Sequence, residues 1–388
     1  MEQNWDHFHV EDVYKFTKLA LQTNGYPIEA AKSVAFALVE ADKRGIFSHG
    51  VTGATGLPEA ISRKGILANV DPSSSPIFCD EKYPTIRVIN ANGSPGPLSS
   101  TLAIDHLKIN TRKYGLAKVV VNNANHFGAA GIWSEKIAEE RDLIGIVSCT
   151  TAACVKPLGD DPEKLDYTKG AGNEIRTGTN PIAISVPYKG GIITLDMALT
   201  RLAISYSIQA FNKGSLVKIP EYIADKNYQS TLDPKDLINP TGLIGSVFPL
   251  GSSLAGYKGD SLLKMIELVH SFGGGPIRKV KTTSSNPDER VSHTFEAQAV
   301  DYQYSKQEAL ERVTNLIRDY ELNYFGPASR WPGDRSNQAL EYVLKEGLPY
   351  SQDQVELLRR ISAYSGLEFD SLLQSISRKP IPANIFIK

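Results

Sequence analysis

Apolar positions follow a helical period at the start of the chain. Val13, Phe16 and Ala20 fall on one face of a segment over 11–23. Pro27 opens a second segment, with Ala30, Val34, Leu38 and Val39 on one face. That helix is expected to stop at "EADKRG". Lys43 and Arg44 suit the negative end of a helix dipole, and Gly45 suits the left-handed residue that ends it. Ser48 and His49 therefore fall just past a helix end. "ANVDPSSSPIF" is a loop by composition, "TIRVIN" at 85–90 is a strand, and Pro97 starts a helix to Tyr114, with Gly115 as its stop.

Downstream the period changes. "AKVVVNN" is a buried strand, "GAAGIWSEKIAEERD" a helix, and "LIGIVSC", "NPIAISVPY" and "GGIITLDM" are strands. "DSLLKMIELVHSF" is a helix halted by three glycines, "SHTFEAQAV" alternates as a strand does, and "KQEALERVTNLIRDYEL" and most of 336–378 are helical by pattern. No internal repeat or low-complexity tract interrupts this order. Helices flank a central segment in which strands and helices alternate, which predicts an α/β fold. The pattern suggests a nucleotide-type domain over 123–289. It is inserted into a discontinuous α+β domain made of 1–122 and 290–388, with a helical C-terminal region.

Composition narrows the function classes. A chain of 388 residues exceeds one ordinary core. Its 42 basic and 43 acidic residues leave a net charge of −1, so no global field favours nucleic acid or an anionic membrane. Cys79, Cys149 and Cys154 show no paired spacing, which fits a reducing compartment. No apolar run approaches membrane-spanning length, and "MEQNWDHFHVEDVYKF" is not a secretory signal. The expectation is a cytoplasmic protein acting on a small molecule, with no nucleic-acid or membrane partner.

Several common motifs are missing: no GxGxxG follows a strand, no HExxH or zinc spacing occurs, and no GxSxG is found. "GSSLAGYKGD" departs from a phosphate loop at Tyr257. His7 and His9 are expected to be a surface pair, and no metal site is expected. Two other histidines carry more. His49 follows a helix end. His126 follows a buried strand, where α/β proteins place ligands, with Asn125 and small residues beside it. Each reads equally as a turn residue or as an acid–base group, because histidine titrates near neutral pH. Asp196 ends an apolar strand, and Thr200 and Arg201 follow at an expected helix start; a helix cap and a ligand edge are both open readings. "GYKGDS" at 256–261 reads as a surface turn or as a phosphate cradle before a helix.

The order of these segments resembles the type-2 malate/L-lactate dehydrogenase family, which includes ureidoglycolate, sulfolactate and diketogulonate oxidoreductases and reductases of cyclic imino acids. "EADKRGIFSHGV", "VVVNNANHFGAAGIWSEKIAEERDLIGIV", "GTNPIAISVP", "LDMA", "PLGSSLAGYKGDSL" and "PGDR" carry the resemblance from about residue 10 to about residue 340. It implies hydride transfer between NAD or NADP and a 2-oxo or 2-hydroxy acid. It also implies a nucleotide domain without the usual doubly wound topology, and a homodimer whose discontinuous domain carries substrate and dimer contacts. The family's Ser-His-Gly histidine corresponds to His49, as proton donor, with Ser48 on the substrate. Its second motif corresponds to His126, an acid–base residue, with Asn125 beside the substrate. Gly178, Thr179, Asn180 and Pro181 correspond to a cofactor-side run, as do Asp196, Met197 and Ala198, Lys258 and Gly259, and Pro332, Gly333 and Asp334.

Two positions depart from the family pattern. Gly53 stands where an arginine is usual, and that arginine would grip a substrate carboxylate with two parallel hydrogen bonds. Asp260 adds a negative charge after the Lys-Gly pair, either disfavouring NADP or capping the next helix. The charged loop 159–177 is a candidate cover for the site. Three readings compete: a 2-hydroxy-acid dehydrogenase, a cyclic imine reductase, and a catalytically weak nucleotide-binding homologue. Retention of Ser48, His49 and His126 favours catalysis.

Overall fold

Helices α1 (Val10–Thr23) and α2 (Ile28–Lys43) form where the apolar period places them, and Val13, Phe16, Ala20, Ala30, Val34, Leu38 and Val39 are all buried. The computed structural model describes residues 4–63, 67, 69–159, 174–239, 242–275 and 290–386. Most of the charged loop 159–177 lies outside the described residues. Gly45 ends α2 with φ of +69°, a conformation that costs glycine little. One 3₁₀ turn, Phe47–His49, and the short helix α3 (Leu57–Ser62) follow.

A seven-stranded mixed sheet forms the centre. β1 (Trp5–Phe8) lies outside it. Its members are β2 (Ile77–Phe78), β3 (Ile86–Asn90), β4 (Leu116–Ala124), β5 (Leu143–Cys149), β6 (Ile182–Tyr188), β7 (Gly191–Met197) and a return strand, Val291–Ala299. The order is β2-β3-β4-return-β5-β6-β7. β3 and β4 are parallel and joined by α4 (Gly96–Tyr114); the other pairs are antiparallel. The return strand registers Phe295 against Val119 on one side and Val147 on the other. It therefore carries the chain back between strands that were formed some 150 residues earlier, and the sheet core includes Ile89, Val119, Val147 and Phe295. α5 (Ala130–Ala138) buries Trp133 and Ile137 on this sheet. Burying such side chains is worth about 1.5–3 kcal/mol each. The expected division of the chain near 122 falls inside β4, and that near 290 falls just before the return strand.

A second core gathers residues between 154 and 263, including Val155, Leu199, Tyr222 and Leu263, around α6 (Ser205–Asn212) and α7 (Ser252–Ser271). Thr200 pairs with Pro249 in an isolated bridge, and the next helix begins only at Ser205, so Thr200 and Arg201 do not open a helix. α7 starts at Ser252, eight residues before the expected Asp260; Ala255 breaks its geometry (φ −139°, ψ 19°), and "GYKGDS" at 256–261 lies inside the helix, so it is neither a surface turn nor a loop before one.

α8 (Lys306–Asn323), α9 (Asp334–Glu346) and α10 (Gln352–Tyr364) follow the helical pattern. Two strands interrupt the region expected to be helical. Leu348–Tyr350 and Ser375–Lys379 flank β1 in an antiparallel sheet. Three residues are too short to show a period, and "SISRK" is mostly exposed, so neither announces itself as a strand. The C-terminal region shares one core with α1 and α2 through Leu348, Tyr350, Leu358 and Phe386. His7 is not on the surface. Strand pairing turns it inward, fully buried, with Nε2 2.9 Å from the Tyr342 hydroxyl and Nδ1 3.1 Å from the Trp5 carbonyl oxygen. Among the described residues, no helix is long and apolar enough to cross a membrane.

Candidate active site

The fold brings the two singled-out histidines together across 77 positions of sequence. The rings of His49 and His126 stack with centroids 5.5 Å apart and planes 18° from parallel. His49 ends the 3₁₀ turn after α2, and its Nδ1 is 2.9 Å from Ser48 Oγ. His126 leaves the C-terminal end of β4. Its Nδ1 accepts the Gly128 N–H at 3.2 Å, which assigns the proton of the neutral ring to Nε2. Part of the His126 side chain remains accessible, yet it is densely surrounded. Burial first, and then the adjacent His49, push its pKa down to about 3. Two stacked imidazoliums would repel, so simultaneous positive charge on both rings is disfavoured.

Neighbouring groups fix both loops. Trp133 Nε1 donates to the Phe127 carbonyl oxygen at 2.9 Å, directly after His126. Asn125 is 4 % exposed. Its Nδ2 donates to the carbonyl oxygens of Gly93 and Ser94 at 2.8 and 3.0 Å, and its Oδ1 accepts from Arg290 at 3.3 Å. Its amide thus holds the turn before α4, and His126 alone of the two faces the His49 ring.

Asp196, Pro332 and Gly333 line one cavity of about 190 Å³ with Arg44, Ile46, Gly131, Glu135 and Thr194. Ile46 is three residues before His49, so the cavity borders the turn that carries it. Asp196 packs on Gly131 in the first turn of α5, where a Cβ would fall 2.8 Å from the carboxylate. Gly333 approaches the Thr194 carbonyl at φ +88°. Arg44 Nε donates to Glu135 Oε2 at 2.6 Å and is also paired with Glu40. The volume suits one ring or ribose of a dinucleotide and not the whole molecule. The residues present therefore fit part of a nicotinamide nucleotide at Asp196, Gly131 and Gly333. The sequence marks Arg44 only as a helix-end cation, and Gly131 and Glu135 only as members of a helix. The basic cluster ending α2 and the small residues opening α5 were the available signals.

The remaining cofactor-side expectations are placed elsewhere. Asn180 is fully buried with φ +35°. Its Oδ1 accepts from the Thr151 amide at 2.9 Å, and its Nδ2 donates to Leu263 and Glu267 at 3.3 and 3.0 Å. Thr151 Oγ1 accepts the Thr179 amide at 2.7 Å, and Gly178 lies so close to Thr151 that a Cβ would overlap it. Pro181 accepts the Cys149 amide at 3.3 Å. Met197 packs on the second core, with Ala198 beside it half-buried. Lys258 is exposed in α7, over the Tyr257 ring at 5.9 Å, and Gly259 presses on the Leu250 backbone. Asp334 opens α9 and accepts the Trp331 amide at 2.7 Å. Asp260 lies well inside α7, paired with Lys264 at 2.5 Å, so it caps no helix start.

A model of the malate/L-lactate dehydrogenase family matches residues 8–359. The chain belongs to that family. It is 31% identical to the malate/(S)-sulfolactate dehydrogenase of Methanothermus fervidus over 90% of this chain and 95% of that protein. It is 30% identical to the NAD(+) ureidoglycolate dehydrogenase of Escherichia coli O157:H7 over 67% of this chain and 66% of that protein. The malate dehydrogenase structure from Pyrococcus horikoshii OT3 superposes with a TM-score of 0.78 at 24% identity, covering 94% of this chain and 97% of that one. A mixed α/β dehydrogenase fold and an NAD(P)-dependent oxidoreductase class follow from this membership.

Proposed function

We propose that this dehydrogenase interconverts a small 2-oxo acid and its 2-hydroxy acid with NAD or NADP, and that His49 moves the proton. The observation that carries the reading is the stacked His49–His126 pair, with His49 on a turn whose leading residue, Ile46, lines the Asp196–Gly333 cavity. The nicotinamide supplies hydride when bound. The protein's own part is the proton. His126 stays neutral through the physiological range because its pKa lies near 3, and its Nε2–H is available to hold a substrate oxygen. His49, hydrogen-bonded to Ser48, is then the group that gives a proton in reduction and takes one in oxidation.

The division into a nucleotide-binding part over 123–289 and a discontinuous part formed by 1–122 and 290–388 belongs to the same proposal, as does a cytoplasmic location. So do cofactor contacts at Gly178–Pro181, Met197, Ala198, Lys258, Gly259 and Asp334, where backbone atoms are the available partners for the buried members. A homodimer is supported by α7, which puts the contacts in the 123–289 part and not in the discontinuous part that the family resemblance implies. Tyr257, Leu262, Met265, Leu268, Val269 and Phe272 are all exposed along it, Phe272 by 96 %. Apolar stripes of this kind mark interfaces.

Stopped-flow loss of NADH or NADPH over a panel of 2-oxo acids tests the reading. Wild type should turn over at least one acid. His49→Ala and His126→Ala should lose roughly 10²–10⁴-fold in kcat while still binding cofactor. Unchanged turnover in His49→Ala overturns the assignment of the proton donor.

A further inference from the structure

Asp42 is a fully buried acid in the last turn of α2, where the helix dipole disfavours a negative charge. It is retained there by two donors. The Val51 amide and the Tyr350 hydroxyl both reach its Oδ2, at 2.9 and 2.6 Å. Its other oxygen has no hydrogen-bond partner and lies against Gly50, where a Cβ would overlap the carboxylate. Glycine at 50 is thus what lets the acid approach the turn. That turn is tightly wound: Gly50 donates to the Phe47 carbonyl oxygen at 3.3 Å, Gly53 to Gly50 at 3.0 Å and Gly56 to Gly53 at 3.0 Å.

Three contacts from the C-terminal region converge on residues 42–52. Tyr350 reaches Asp42, Gln354 Nε2 donates to Thr52 Oγ1 at 2.7 Å, and the Phe386 ring stacks on Phe47 at 5.7 Å. Ser48 and His49 sit between the Phe47 and Thr52 anchors. Neither Asp42 nor Tyr350 touches the reacting atoms; each acts through the backbone of the turn.

We propose that Asp42 and Tyr350 are positioning residues that hold the Ser48–His49 turn in register with His126, so that the C-terminal region completes the proton-transfer site. This rests on His49 being the proton donor. Misplacing a catalytic group by about 1 Å costs roughly a hundredfold in rate. Tyr350→Phe, which deletes one hydroxyl from an intact fold, should lower kcat about tenfold and raise the solvent deuterium isotope effect on kcat, with the cofactor Kd within about twofold of wild type. Asp42→Leu, which removes the acceptor, should exceed that loss. Asp42→Asn keeps one oxygen for both donors and should recover most of the rate. A structural role alone would lower the melting temperature and leave the isotope effect at the wild-type value; that result in Tyr350→Phe overturns the proposal. His49→Ala run alongside separates the two ideas. If it keeps wild-type turnover, the donor assignment has failed. If it loses turnover while Tyr350→Phe and Asp42→Leu keep theirs, the positioning role alone has failed.

Discussion

Gly53 offers a test in which family pattern and local packing give opposite answers. By the pattern, Gly53→Arg restores a carboxylate grip and should lower KM for 2-oxo acids. The structure predicts damage. A Cβ at 53 would stand 2.5 Å from the Ser48 carbonyl oxygen, 2.6 Å from that of Phe47 and 2.7 Å from the Ser48 carbonyl carbon. All three are backbone atoms, so no side chain can swing aside, and the carbonyls must retreat by roughly half an ångström or more. Overpacking of this size costs about 1–3 kcal/mol, or roughly 2–4 °C of melting temperature per kcal/mol for a large domain. The displaced atoms belong to the two residues before His49, so turnover should fall as well, by about tenfold to a hundredfold.

Gly53→Ala isolates the Cβ from the arginine's charge. Gly326 is the control, because a Cβ there meets only Ser329 Oγ at 3.9 Å. Gly326→Ala should leave stability within about 0.5 kcal/mol. Thermal melts and NADH oxidation on the same preparations give both readouts. A Gly53→Ala protein that melts and turns over as wild type refutes the packing argument. So does a stable Gly53→Arg protein with a lowered KM for 2-oxo acids.

Two further outcomes follow from the same geometry. Met265→Asp with Leu268→Asp on α7 should convert a dimer to monomer in sedimentation; a monomeric wild type removes the proposed interface. Stability should rise from pH 4 to 6.5, because burial holds His126, His270 and His293 at about 3, 4 and 3, below the usual 6.5. Each takes up a proton in the unfolded chain before it does in the folded one, so its stabilisation is full above about 6.5 and is lost as pH falls. Asp42 works oppositely: its pKa rises from 3.8 to about 7, so its contribution declines as pH rises through that interval, and three histidines outweigh it. His293 is fully buried and stacked on Phe127, so His293→Leu should give a shallower dependence of melting temperature on pH; an unchanged slope counts against the burial argument.

What could be read from the sequence was local. The helix stop at Gly45 placed Ser48 and His49 in an exit turn, and the buried strand "AKVVVNN" placed His126 just past a strand's C-terminal end. Both follow from spacing within one element, and their meeting at 5.5 Å follows from the sheet. The chemistry of Asn180 was not legible in the same way. "GTNP" looks like a ligand loop because glycine and asparagine serve ligand loops, but they serve a buried αL turn equally well. Only the partners, Thr151, Leu263 and Glu267, show that its amide is spent on holding the fold. Asp42 and Tyr350 were farther out of reach, because 308 positions separate them and no period links them. One local sign did exist: an acid in the last turn of a helix opposes the dipole and implies donors waiting nearby. Gly53 carries the same lesson in reverse. As a family position it is a missing arginine; among the carbonyls of Phe47 and Ser48 it is the residue that lets the His49 turn close.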